Sequence, residues 1–328
     1  MKSSMNLKWM LLFAIIILSC IAYVLVRQYT ESKSQIFMPI STISNITFTT
    51  SNNTNDRLQV SWSPRDPPVL DIFVRTWRGD GHWLIYLLRS IEKYVPRTLY
   101  RNIIITFPFT ETSYFQSYLP FFSLPIKLIQ SNDVYIKNGP NNGSYYSQMY
   151  VKFHAYQYSD ADFFIHMDSD TMFKEPISRR DLLDEHNRVY VKRVKFDTMA
   201  ANFRVWQKPA EKILLESVPY ETMTGFPFVF PRDLYENTIR LIEKRHNKPM
   251  LAAVRSVWDF IEFTTLGHYL ITHMSNNRWV DNDNKSSKVV QSWSWGGFGP
   301  TQVAWYECLL RAKDNKMCHL QPSATDLH

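Results

Sequence analysis

Apolar residues recur along this chain at two spacings, continuous or helical, and the switches between them mark out its elements. Residues 9–26 are almost wholly apolar and carry no charge. As a helix that run spans roughly 27 Å, close to the thickness of a thin bilayer. Residues 27–68 lose the pattern: they are rich in Ser, Thr and Asn and end in Pro64, Pro67 and Pro68. Such a composition cannot bury a core and reads as a stem or linker. The folded part therefore begins near Val69. Residues 69–76 form a continuous apolar run, interrupted only by Asp71 before it closes on Arg75 and Thr76, and predict a buried strand. Asp80 stands where a helix N-cap belongs. Behind it Trp83, Leu84, Leu87, Leu88, Ile91 and Tyr94 repeat with helical period until Pro96 stops them.

The alternation continues. Residues 103–107 and 126–129 are β-rich, residues 148–158 suit a helix, and residues 163–167 give a fourth strand. Residues 226–230 predict a strand leading into a helix over 233–245. A further helix is expected over 257–269, interrupted near Gly267, and a C-terminal one over 301–313. Trp279 and residues 293–298 are expected in loops and short strands closing one side of a site. Strands alternating with helices predict an α/β fold with a mainly parallel sheet flanked by helices. Ligands of such sheets bind beyond the carboxyl ends of the strands.

The apolar N-terminal run adds a membrane to this picture. Lys2 and Lys8 precede it, and Arg27, Glu31 and Lys33 follow. That balance favours a cytosolic N-terminus and a domain across the membrane. The expected organisation is a cytosolic tail (1–8), a transmembrane signal anchor (9–26), a stem (27–68) and a catalytic domain (69–328). The same run also fits a cleaved signal peptide ending at Cys20-Ile21-Ala22, or a poor lipoprotein signal over 17–20. Sequons at Asn45, Asn52, Asn142 and Asn284 are compatible with a lumenal domain but no more numerous than chance allows.

Composition narrows the chemistry. The chain has 328 residues and a formal charge of +7, yet no Lys/Arg run forms a nucleic-acid stripe. A diphosphate-bearing small molecule fits that charge with fewer assumptions. Aromatics make up 15% of the chain and often neighbour polar groups, as in Ser292-Trp293-Ser294-Trp295; this suits a pocket for rings as well as an ordinary core. Of three cysteines, Cys20 lies in the apolar run and no CxxC pair exists, which argues against a cysteine-rich zinc site. Cys308 and Cys318 either pair in an oxidising lumen or stay as two separate thiols.

Three Asp-x-Asp triplets occur. Asp160-Ala161-Asp162 sits between a helix and a strand, and Asp281-Asn282-Asp283 lies in a polar stretch; both read as loops. Only Asp168-Ser169-Asp170 directly follows an apolar strand, at the edge where ligands bind. Two short carboxylates there can reach one hard cation, which takes oxygen ligands and neutralises a departing diphosphate. The competing reading is an Asx-type turn.

The segment Phe163-Phe-Ile-His-Met-Asp-Ser-Asp-Thr-Met-Phe173 resembles the DxD segment of GT-A-fold glycosyltransferases. Preceded by Gln148-Met-Tyr-Val-Lys-Phe-His-Ala155, and followed by Thr224-Gly225-Phe226-Pro227 and Glu262-Phe-Thr-Thr-Leu-Gly267, it is similar to an uncharacterised glycosyltransferase-like group. The similarity covers residues 69–295, and only the DxD segment is specific. The resemblance implies a type II protein of the endoplasmic reticulum or Golgi membrane. It also implies a nucleotide-sugar donor and Mn²⁺ or Mg²⁺ at Asp168 and Asp170, with no nucleic-acid partner. Donor identity, stereochemistry and the acceptor, whether glycan, protein or lipid, are left open.

The resemblance also directs attention to Arg75 and Thr76, where such domains hold base or ribose. Lys152 is a candidate to face the diphosphate, and Glu262 to be an acceptor-activating base or a sugar contact. Each has a structural alternative: an exposed lysine, a strand-end pair, a buried carboxylate with a partner. His268 or His273 is a candidate third ligand of that metal, set against the commoner role of a lone histidine as a satisfied core or surface residue. Two other functions remain. One is a non-enzymatic carbohydrate- or partner-binding protein on the same scaffold. The other is a metal-dependent nucleotidyl- or phosphotransferase, disfavoured by the lack of a Gly-x-x-x-x-Gly-Lys loop.

Overall fold

A computed structural model describes residues 64–118, 122–131, 144–201, 204–257, 260–282, 287–292, 299–311 and 318. The tail, the anchor, most of the stem, the asparagines of all four sequons and residues 293–298 lie outside the described residues. Among those described, no helix is long and apolar enough to cross a membrane.

Continuous apolar runs become the centre of the sheet. Strands β1 (Leu70–Arg75), β2 (Ile103–Pro108), β3 (Ile126–Ser131) and β4 (Phe163–Asp168) are parallel, and β9 (Phe228–Pro231) is antiparallel to β4. The sheet order is β3-β2-β1-β4-β9. β1 is buried along its whole length, as a central strand covered on both faces must be. Its one carboxylate, Asp71, survives burial because it is fully partnered. Arg101 Nη2 donates to Oδ2 at 2.7 Å and the Asn102 amide to Oδ1 at 2.9 Å.

Helix α1 (Gly81–Tyr94) buries all six apolar positions expected of it. Asp80 occupies the N-cap position but makes no capping bond; its carboxylate accepts from Ser169 Oγ at 2.9 Å instead. Helix α2 (Thr112–Tyr118) follows β2, and α3 (Ser144–Phe153) leads towards β4, starting and ending earlier than the expected 148–158. A 3-10 turn over Ala155–Gln157 takes up the remainder.

Beyond β4 the elements are shorter. Strand β5 (Thr171–Phe173) pairs antiparallel with β11 (Val289–Gln291). A one-turn helix α4 (Arg179–Leu182) precedes β6 (Val189–Val191), which pairs with β10 (Trp279–Asp281). β7 (Val194–Lys195) and β8 (Tyr220–Glu221) form a second small pair. Around them lie α5 (Gln207–Leu214), α6 (Arg232–His246), α7 (Met250–Val257), α8 (Glu262–Thr272) and α9 (Pro300–Arg311).

The helix expected over 257–269 is divided differently. The break falls before Glu262, and α8 runs straight through Gly267. Gly267 is a point of close approach: a Cβ there would meet Thr222 Oγ1 at 2.1 Å. Asp160 and Asp162 are structural, as their turn position suggested; Arg65 pairs with both, and Asp162 Oδ2 accepts from the Val69 amide at 2.7 Å. Cys308 and Cys318 form a disulfide.

Candidate functional site

The carboxyl edge of the parallel sheet is where the chemistry gathers. β1 and β4 run in register, so Arg75 stands directly opposite Asp168 at their last positions. The chain then turns through Ser169 and Asp170 into β5. Asp170 is held in that turn from its carbonyl, which accepts from the Ser292 amide at 3.0 Å and from Tyr306 OH at 3.2 Å. Helix α3 supplies Lys152 from its last turn, and α8 supplies Glu262 from its first.

Lys152 is the hinge of the arrangement. Its ammonium lies 2.6 Å from Asp168 Oδ1 and 3.1 Å from Glu262 Oε1. Burial alone lowers a lysine, but the two carboxylates outweigh it and hold Lys152 above the ordinary lysine range. Burial pushes the Glu262 carboxyl up, and Asp168 adds to that, while the charge of Lys152 opposes it. Glu262 Oε2 is buried and has no hydrogen-bond partner. Asp80 is also pushed up, first by burial and then by Asp168, against the hydrogen bond from Ser169.

These groups line a cleft of about 250 Å³, together with Tyr145, Gln148, Trp206, Gly225, Phe263 and Gln291. The structure thus brings Arg75, Lys152, Asp168, Asp170 and Glu262 to one place. Thr76 is not with them: it is buried, and its hydroxyl donates to the Trp77 carbonyl at 3.5 Å. Arg75 turns part of its guanidinium back to the Thr76 carbonyl. Lys152 is a buried, doubly paired lysine, not an exposed one. Ser169 is buried, donates to Asp80 and lines the same cleft.

Sequence reasoning missed Asp80, which it used up as a helix cap, and Tyr145, Trp206 and Gln291, which no local pattern marks. Gly225 has a visible reason: its φ of 146° belongs to glycine. A second cleft of about 360 Å³ shares Thr224, Gly225, Phe226 and Phe228 with the first and adds Tyr190, Lys192 and Asn282. Two cations, Arg75 and Lys152, face four carboxyl groups, Asp80, Asp168, Asp170 and Glu262, in the first cleft. With the two raised carboxyls protonated, the charges only balance; with all four ionised, negative charge is in excess.

His268 and His273 lie elsewhere, against Glu216. Among the described residues, they form the one group of three or more His, Cys, Asp or Glu side chains whose ligand atoms converge within 4.8 Å. Among the described residues, Asp168 and Asp170 belong to no such group. No known protein-family model matches the chain, and no curated protein matches it either.

Proposed function

We propose that the chain is a GT-A-like glycosyltransferase that moves a sugar from a nucleotide-sugar donor to a hydroxyl acceptor, with a divalent cation at Asp168 and Asp170. One observation carries the reading. Two carboxylates at the carboxyl edge of a parallel sheet open on a cleft whose own cations do not exceed its carboxyl groups. A diphosphate entering it finds no net positive charge and needs a cation to bridge it to the protein. The donor set is oxygen only, and Asp168 keeps 27% of its side chain exposed beside Lys152, which fits Mg²⁺ or Mn²⁺ held by one or two carboxylates plus phosphate oxygens. When bound, the ion supplies charge neutralisation of the leaving diphosphate.

The chain's own residues do the rest. Tyr145 and Trp206, with ring centroids 6.4 Å apart and planes 33° off parallel, offer apolar faces for a base or sugar ring. Lys152 holds Asp168 and Glu262 in one charged row. In the transfer, the bond between the anomeric carbon and the diphosphate oxygen breaks, its electron pair leaving with the diphosphate. The acceptor oxygen forms the new bond and gives its proton to Glu262, whose raised carboxyl suits a base. The adjoining cleft, reached across Gly225 and Phe226, is the proposed seat of the acceptor. Anchor, stem and the Cys308–Cys318 disulfide support a lumenal site in the endoplasmic reticulum or Golgi.

Thermal denaturation with a panel of nucleotide-sugars tests the reading. A donor at a hundred times its Kd stabilises by about 2.7 kcal/mol, or roughly 5–10 °C for a domain of this size. The shift should need Mn²⁺ or Mg²⁺ and vanish with chelator and in Asp170→Asn. An Asp170→Asn protein that binds donor and metal as well as the parent overturns the assignment.

A further inference from the structure

A second, separate cluster lies at the other end of α8. Glu216 follows α5, whose last turn closes on Leu215 in the left-handed conformation (φ 52°). That reversal returns the chain towards α8. There His268 Nε2 lies 3.2 Å from Glu216 Oε1, and His273 Nε2, from the residue that caps α8, lies 2.7 Å from the same oxygen. All three ligand atoms fall within 4.8 Å of one another. Arg245 of α6 donates to the other carboxylate oxygen, Oε2, at 2.7 Å. The carboxylate is therefore oriented from behind, and Oε1 is the oxygen both imidazoles address.

We propose that Glu216, His268 and His273 form a zinc site that clamps the C-terminal end of α8 to the turn after α5. The spacing is close to what the metal requires. Donors about 2.0–2.1 Å from a tetrahedral Zn²⁺ stand roughly 3.3 Å from one another. The His268–Glu216 gap already matches at 3.2 Å, and the His273–Glu216 gap of 2.7 Å has to open by about 0.6 Å. His273 can supply that movement, being partly exposed at a helix end. The donor chemistry selects the ion. Two imidazole nitrogens and one carboxylate suit zinc, whereas Mg²⁺ and Ca²⁺ want an all-oxygen set such as Asp168 and Asp170.

The placement decides the role. None of the three residues lines either of these two clefts, so the ion would act through the packing of α8, with water completing its coordination. Its mechanical target is α8 itself. Glu262 lies six residues before His268 on that helix, about 9 Å along its axis. A clamp at His268 and His273 fixes the helix that carries Glu262 without touching the cleft. The proposal does not depend on the glycosyltransferase reading.

The test is metal content and spectrum, not activity. The full chain in detergent is loaded with Zn²⁺, passed through a desalting column and assayed for bound metal. A Co²⁺-loaded sample is examined for the visible bands of tetrahedral coordination. The expected result is one zinc per chain, a tetrahedral Co²⁺ spectrum and a zinc-dependent rise in the melting midpoint. In His273→Ala the affinity should fall by more than the roughly 10–100-fold typical of losing a ligand's supporting partner. Glu216→Gln, which keeps its shape and an oxygen for Arg245, should behave likewise if His273→Ala proves unstable. Asp170→Asn should keep its zinc. Failure of the wild-type chain to hold zinc, or equal affinity in a folded His273→Ala or Glu216→Gln protein, overturns the site.

Discussion

Glu262 joins two demands that seldom meet in one side chain. It is a buried carboxylate with one oxygen on an ammonium and the other without a partner, so it is costly to bury and retained at the edge of a cleft. As the proton acceptor it predicts a separable defect. Glu262→Gln keeps an oxygen for Lys152, so metal-dependent donor binding should persist while turnover falls by about 10²–10⁴-fold. Unchanged turnover in the folded variant removes the role. Glu221 makes a different prediction, about stability. Burial pushes its carboxyl above the ordinary 4.5, against hydrogen bonds from the Met223 amide and Thr264 Oγ1. The folded chain thus keeps this proton to higher pH than the unfolded chain does. The contribution is complete below the ordinary glutamate range and lost as pH rises through the folded value. Glu221→Gln should therefore gain on the parent as pH rises from about 4.5 towards neutrality, by at most about 1.4 kcal/mol per pH unit. Parallel stability curves in urea across that range would show that Glu221 is not the group responsible.

Helix α8 shows how an element can defy its own propensity. Glycine inside a helix ordinarily costs about 1 kcal/mol against alanine, so Gly267→Ala should stabilise an isolated α8. In the folded chain the added carbon meets Thr222 Oγ1 at 2.1 Å and Thr222 Cβ at 2.6 Å. Thr222 cannot rotate its Cβ away, so α8 or the segment just after β8 has to shift, and overpacking of this kind costs about 1–3 kcal/mol. The expected result is a lower melting midpoint for Gly267→Ala; a higher one would mean that the two elements are free to part. Helix α9 is fixed by other means. Tyr94 OH donates to the Leu309 carbonyl at 2.6 Å, and Arg89 pairs with Glu307, so α9 lies along α1. The disulfide ties Cys308 of that helix to Cys318.

For the molecule as a whole, the proposed topology and the disulfide stand together. An apolar run with lysines before it and a stem after it favours export of everything beyond residue 26, and a disulfide persists in an oxidising compartment. In sealed microsomes the C-terminal domain should resist added protease until detergent is present. Non-reducing peptide maps of the protected fragment should show Cys308 joined to Cys318. Complete digestion without detergent would place the domain on the cytosolic side and remove the oxidising lumen from the argument.

Periodicity was enough to read the parallel sheet, because β1, β2 and β4 are buried on both faces and their apolar runs depend on no distant partner for recognition. The six buried positions of α1 were legible for the same reason: a helix repeats its own geometry. Asp168 and Asp170 stood out from the other acidic triplets because a strand end is a local feature. What lay beyond local pattern was pairing. Lys152 and Glu262 are 110 residues apart, and only the packing of α3 against α8 brings that carboxylate onto the Lys152 ammonium beside Asp168. Asp80 looked like a cap because its sequence neighbours are a helix; Ser169, 89 residues on, claims it. Gly267 looked like a helix break because the atom that requires it, on Thr222, is not in its neighbourhood along the chain. His268 and His273 looked like two lone histidines for want of Glu216, more than fifty residues earlier and made adjacent by a left-handed turn. Local burial and period are written in neighbouring residues, whereas charge partners and close approaches are set by where the folded elements come to rest.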